Sequence, residues 1–397
     1  MNPLRNPFSP GAGSPPPELA GRQHLLDQAT LTLARIKAGR SAKSFFLIGL
    51  RGVGKTVLLN RIQTLAEDAG YVTVLVEAHE RKPLPALLAP SLRQILFALD
   101  RMASLSAKAK RGLRVLKSFV SAVKVKVQDI EIGLDIDPEQ GVADSGDLEA
   151  DLPELFVALG EAAQDRGAGV AILIDELQYL TEDELSALIM AVHRISQKQL
   201  PLVVIGAGLP QLVALAGKSK SYAERLFAYP EVGPLAPNDA AAALQEPAQT
   251  EGAIFDPDAI AEVIRVTEGY PYFLQEWGYQ AWNQAPASPI DLQTVRHATA
   301  HAVERLDESF FRVRFDRLTP REKEYLRALA ELGPGAHRSG DVADLLAVKV
   351  QSIAPVRNSL IKKGMVYSPA HGDTAFTVPL FDQFMKRIMP QLPTHRT

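Results

Sequence analysis

The octapeptide Gly49-Leu50-Arg51-Gly52-Val53-Gly54-Lys55-Thr56 fits G-x-x-x-x-G-K-[ST] and lies between the apolar run SFFLI and an amphipathic stretch that begins VLLNRI. A strand before and a helix after are the context such a loop needs. Its glycines let backbone N–H groups wrap an anion, and the helix N-terminus adds a favourable dipole. Lys55 is predicted to reach the β- and γ-phosphates of ATP, and the Thr56 hydroxyl to hold Mg²⁺. A loop of this kind also commits the chain to a layered fold. SFFLIG, YVTVLVEA, VAILID and PLVVIGA are near-continuous apolar runs of strand length, as parallel strands buried on both faces require, and amphipathic stretches separate them. The expected class is α/β.

The second half of the site is predicted at Val170-Ala-Ile-Leu-Ile-Asp175-Glu176. A buried strand would deliver Asp175 at its carboxyl edge to assist Mg²⁺, with Glu176 beside the γ-phosphate to activate the attacking water. The competing reading is a helix N-cap followed by a first-turn acid.

At 397 residues the chain exceeds what one hydrophobic core usually serves, so two or three domains are expected. Its 46% hydrophobic and 22% charged residues place it among ordinary globular chains. The lack of cysteine excludes a disulfide scaffold and thiolate metal sites and suits a reducing, cytoplasmic setting. With 43 Lys and Arg against 46 Asp and Glu, no global field marks a nucleic-acid coat or a polybasic membrane binder. The N-terminus has no apolar h-region and is rich in Pro, Gly and Ser, which reads as a flexible tether over residues 1–15. The longest uncharged stretch, 199–217, is interrupted by Pro201, Gly206, Gly208, Pro210 and Gln211, so it is predicted as strand, turn and helix with no membrane partner.

The predicted ATPase core covers 16–235, with an insertion at about 83–155. In it, residues 101–128 hold eight Lys and Arg and no acid, while 129–151 hold nine Asp and Glu and no base. Alternation at Val123, Val125, Val127, then Ile130, Ile132, Leu134 and Ile136, predicts one or two edge strands, either a hairpin with cross-strand ion pairs or a partner-binding arm. Residues 236–312 read as a helical lid.

With these motifs in this order, nearly the whole chain resembles the AAA+ and STAND-like P-loop ATPases, in particular the origin-recognition-like branch of archaea and bacteria. The resemblance implies a three-layer core, a helical lid and a winged helix. It also implies that Pro17-Glu-Leu-Ala-Gly21-Arg22 forms the adenine-side box and that Glu268-Gly-Tyr-Pro271 brings Pro271 of the lid near the nucleotide. Two departures stand out. The fourth strand ends in Gly206-Ala207-Gly208 where the family has a polar sensor, and Tyr270-Pro-Tyr-Phe carries no lid cation. Hydrolysis that is slow or stimulated by a neighbour is therefore expected. Related ATPases place an arginine finger where Arg225 stands, so this residue is either a catalytic cation for a neighbouring subunit in a homo-oligomer or a surface partner of Glu224. His297 and His301, at i and i+4, lack a third metal ligand nearby in sequence.

Residues 319–397 carry eleven Lys and Arg against seven Asp and Glu, a reversal of sign relative to the rest of the chain. Thr319-Pro-Arg-Glu322 is a capping-box start, and three short helices followed by a strand pair resemble a winged helix-turn-helix over 313–397. Arg357, Asn358, Lys362 and Lys363 on the third helix suit double-stranded DNA. Such modules also dock proteins, which leaves two functions: a nucleotide-gated DNA-binding regulator or loader, and a STAND-like signalling switch.

Overall fold

The computed structural model describes residues 1–11, 13, 16–17, 19–101, 107–123, 136–370 and 372–392. Helix α1 (Gln23–Lys37) leads into β1 (Ser44–Ile48), and the glycine-rich loop turns into α2 (Lys55–Asp68). There follow β2 (Tyr71–Glu77), α3 (Leu84–Arg101), α4 (Ala107–Ala122), α5 (Leu148–Asp165), β3 (Gly169–Asp175) and α6 (Glu182–Gln197). β4 (Leu202–Gly208), α7 (Gln211–Ser219), α8 (Ala223–Leu226) and β5 (Phe227–Ala228) complete this unit. The five strands form a parallel sheet of order β2-β3-β4-β1-β5. Every residue of β1, β3 and β4 is buried. Alternation along them feeds two separate cores: Phe46, Ile172 and Val204 face one layer of helices, while Phe45, Leu173 and Ile205 face α1 and α2. The architecture is a three-layer α/β sandwich whose carboxyl edge carries the glycine-rich loop.

The insertion departs from expectation where it can be followed. Its basic stretch is helix α4, which buries Leu113, Leu116 and Phe119 in the core. The two arginines of α4 are paired within the chain, because Arg111 bonds Glu139 at 2.7 Å and Glu161 at 3.1 Å, and Arg114 reaches Glu139 at 3.4 Å. The alternating stretch read as edge strands lies mostly at 124–135, outside the described residues.

Helices α9 (Pro237–Thr250), α10 (Pro257–Thr267), α11 (Pro271–Gln284) and α12 (Leu292–Arg305) form the lid region. A π-helical turn, Leu306–Phe311, and α13 (Arg312–Phe315) then lead to α14 (Pro320–Leu332). Beyond it lie β6 (His337–Arg338), α15 (Ser339–Leu345), α16 (Val350–Lys362), β7 (Val366–Tyr367), β8 (Asp373–Phe376) and α17 (Phe381–Ile388), the last not anticipated from sequence. The three short strands pair antiparallel in the order β6-β8-β7. Thr319 and Glu322 form the expected capping box at the start of α14. One continuous apolar cluster runs from Trp277 and Phe273 of α11 through Phe311 to Leu326 of α14 and Phe384 of α17. The lid helices and the C-terminal elements therefore share a core.

The N-terminal residues read as a tether are instead built into that cluster. Phe8 is 2% exposed and meets Phe255 edge-on at 6.1 Å, and Gly278 has no side chain where Phe8 lies. The Asn6 side chain bonds Tyr279 O at 3.0 Å and Asn283 at 2.9 Å, and Ser9 N–H donates to Gln275 at 3.1 Å. Phe8→Ala is accordingly expected to cost about 3 kcal/mol through the cavity it leaves. Urea denaturation checks this: an unchanged midpoint would mean that the segment contributes nothing to the fold.

Candidate nucleotide site

The glycine-rich loop takes the strained turns its glycines permit, with φ +82° at Gly52 and +89° at Gly54, the residue that precedes α2. Lys55 is 7% exposed, and its ammonium folds back onto the carbonyls of Gly49 (2.9 Å) and Leu50 (2.8 Å). Burial pushes Lys55 down to about 8, opposed by the charges of Glu176 and Asp175. Thr56 Oγ1 donates to Asp175 Oδ2 at 2.6 Å, so the hydroxyl and the carboxylate converge at the loop. Burial raises Asp175, and the Thr56 hydrogen bond works against it. Two convergent oxygens beside an anion-binding loop are a fitting donor set for a hard divalent cation.

Glu176 follows directly, in the left-handed region at φ +55°. One carboxylate oxygen lies 3.5 Å from the Arg51 guanidinium, and the other accepts from Gln178 Nε2. Gln178 also accepts from Leu209 N–H at 3.0 Å, which places its amide at the end of β4. This explains the side-chain-free end of that strand. A Cβ at Gly206 would lie 2.1 Å from Leu177, and one at Gly208 3.0 Å from Gln178 Oε1. The amide at the end of β4 thus comes from the turn after β3.

The lid closes on the loop through main chain: Tyr272 N–H donates to Gly52 O at 3.1 Å, with Pro271 beside it on the cavity wall. Arg22, 7% exposed, donates to Val53 O at 3.2 Å and to Gly233 O, bracing the loop from behind, and Gly21 stands against Asp239. Leu50 and Arg51 continue the loop. The cavity, partly open to solvent, is about 510 Å³, within the range of small-molecule sites, and N-terminal residues Ser9–Gly11 and Leu19 line it. Arg314 also lines it, and sequence reading missed this residue. Its guanidinium lies 4.1 Å over the Phe310 ring, where burial, with the Arg51 charge adding, pushes it down to about 10. It offers a cation that the lid signature lacks.

Other predicted residues fall elsewhere. Arg225 is exposed on α8 at the amino edge of the sheet, since β5 pairs with β1 at Ser44 and Lys43 Nζ donates to Glu224 O. A strand of this length puts it about 16 Å from its own phosphate loop. Arg357 donates to Thr374 Oγ1, Ser368 Oγ and Asp373 O, each at 2.7 Å, tying α16 to the small sheet. Lys363 pairs with buried Glu322 at 2.7 Å. Both are therefore engaged within the fold, while Lys362 and Asn358 are exposed. His297 and His301 meet edge-on, and no group of three metal-ligating side chains occurs among the described residues.

Residues 18–205 match the AAA ATPase domain family, and residues 308–385 match a domain of unknown function, DUF8462. No curated protein matches the chain. Among solved structures the chain is similar to a Walker-type ATPase of Pyrococcus abyssi, at 17% identity and a TM-score of 0.55, covering 93% of this chain and 96% of that one. It is more distantly similar to the Orc1 protein of Aeropyrum pernix in complex with DNA, at 16% identity and a TM-score of 0.45, covering 94% of each. The fold is that of a three-layer α/β P-loop NTPase core. No helix of the described residues is long and apolar enough to cross a membrane.

The depressed Lys55 predicts a pH dependence. The ammonium is charged below pH about 8 and neutral above it, and only the charged form attracts phosphate. Log kcat/KM for ATP is expected to be level up to that pH and then to fall with a slope of about −1. Lys55→Arg, whose cation does not titrate there, should flatten the descent. A wild-type profile without that limb would overturn the assignment.

Proposed function

We propose that this chain is a Mg²⁺-dependent ATPase whose nucleotide state sets the position of its C-terminal unit. The convergence of Lys55, Thr56, Asp175 and Glu176 at one sheet edge, roofed by Tyr272 and Arg314, carries this reading. Magnesium held by Thr56 and Asp175 would supply countercharge to the β- and γ-phosphates. Loop N–H groups bind the phosphates, and Lys55 exchanges the Gly49 and Leu50 carbonyls for phosphate oxygens. Glu176 takes a proton from the attacking water as its oxygen bonds to the γ-phosphorus. The bond from that phosphorus to the bridging oxygen breaks, releasing ADP and phosphate. Arg314 stabilises the spreading charge from the lid side. Arg22, Gly21 and Pro271 fix the loop and lid around the nucleotide.

Lys55→Ala should weaken ATP binding at least tenfold, measured by titration with a fluorescent analogue. Glu176→Gln should keep that affinity and lose about 10²-fold or more in kcat, since it removes the base but keeps the shape. Arg225 can serve only a neighbouring subunit's phosphate. Specific activity should therefore rise with protein concentration and drop in Arg225→Ala, and a concentration-independent rate would remove the trans role.

For the C-terminal unit the geometry favours a signalling switch with a protein partner over a DNA-binding regulator. Two of the three cations assigned to DNA, Arg357 and Lys363, are spent inside the fold. Affinity for duplex DNA that falls steeply with salt concentration would reverse this preference.

A further inference from the structure

Arg51 belongs to the phosphate loop, yet its strongest contacts lie outside it. Its backbone N–H donates to the carbonyl of Thr377, in the C-terminal unit, at 3.0 Å. Its Nη2 donates to the Tyr179 hydroxyl at 3.0 Å, and its Nη1 lies 3.5 Å from Glu176 Oε1. Gly364, just past α16, has φ +63°, and a Cβ there would stand 2.9 Å from Arg51 Nη2. Thr377 is fully buried, and its hydroxyl donates to Gly364 O and Met365 O, so the carbonyl that receives Arg51 is held by its own hydrogen-bonded turn.

The C-terminal unit thus grips Arg51 by main chain and by close packing, while Arg51 holds one oxygen of Glu176 and Gln178 holds the other. A general base must present a free oxygen to the water it deprotonates. Here one oxygen accepts from Gln178 and the other has the Arg51 cation 3.5 Å away, so protein groups set the direction in which the carboxylate points. Arg51 also lines the cavity with Lys55 and Arg314, three cations around a space that suits a polyphosphate.

We propose that Arg51 is a positioning residue for Glu176 whose setting the C-terminal unit controls. With the unit docked, Arg51 keeps the carboxylate turned from the water; with the unit released, the guanidinium moves to the γ-phosphate and Glu176 is free to act. The inference rests on the ATPase reading above and gives the C-terminal unit a restraining role in it.

The test is steady-state ATP hydrolysis by the full chain. Tyr179→Phe removes one anchor of Arg51 and should raise kcat about threefold or more with KM for ATP little changed. A merely structural Tyr179 would instead lower kcat and thermal stability together, which overturns the proposal. A second arm uses the absence of native cysteine. The charge of Glu231 reaches Tyr367 of β7 across the junction between the units, which puts the two positions within Coulombic range, a span that a bismaleimide can bridge. Joining Glu231→Cys to Tyr367→Cys with a short bismaleimide should hold the unit docked and lower kcat at least about tenfold relative to the unjoined double variant. Equal rates with and without the cross-link overturn the restraining role, while loss of turnover in Glu176→Gln in the same assay leaves the ATPase reading standing. Wild-type turnover in Glu176→Gln would sink both.

Discussion

The 2.6 Å hydrogen bond from Thr56 to Asp175 is the joint on which the nucleotide edge depends. It links the start of α2 to the end of β3 across β4, which lies between β1 and β3 in the sheet. At the end of β4, Leu177 packs against Gly206 and Gln178 against Gly208, so neither position has room for a side chain. Asp175 is only 6% exposed, and a buried carboxylate without a partner would be costly. The hydroxyl offsets that cost while keeping an oxygen pair together for a cation to claim. The Glu176 turn, Gln178 and the Arg51 contact all follow from where this joint puts the end of β3.

What could be read from sequence was what is local in the chain. A glycine-rich loop between strand and helix, an aliphatic run ending in Asp-Glu, and a Thr-Pro-x-Glu helix start each carry their physical requirements within a few residues. The parallel sheet and the capping box at Thr319 follow expectation for that reason. The remainder depends on partners distant in the chain. Arg314 has no motif around it and matters because a π-helical turn aims Phe310 and its own guanidinium into the cavity. Arg357 looked solvent-facing by residue type, but its three acceptors arrive from 11 to 17 residues further on. The N-terminal segment was misread because composition averages over a stretch, whereas burial there is decided by Phe8.

The shared core of lid and C-terminal elements changes how motion should be pictured. Tyr272 stacks on Phe310 at 4.7 Å, Phe310 meets Phe311 at 5.2 Å, and Phe311 stacks on Phe384 at 5.2 Å. This row of rings runs from the residue that touches Gly52 to the last helix. Close-packed aromatic contacts of this kind do not slide independently. Under the proposed mechanism, a displacement of the lid would be carried to the far end as a rotation of one body, and the junction at Arg51 and Thr377 would be the surface that parts.

Both tryptophans of the chain, Trp277 and Trp282, sit in that same helical core, each 2% exposed. The three-layer sandwich contains none. Indole emission thus reports on one body alone. It would stay blue-shifted while the parallel sheet melted, and it would respond to loss of the N-terminal arm, whose Asn2 carbonyl accepts from Trp282 Nε1 at 2.9 Å. An optical unfolding curve of this protein is in effect a curve for its lever, and far-ultraviolet dichroism is needed to see the engine.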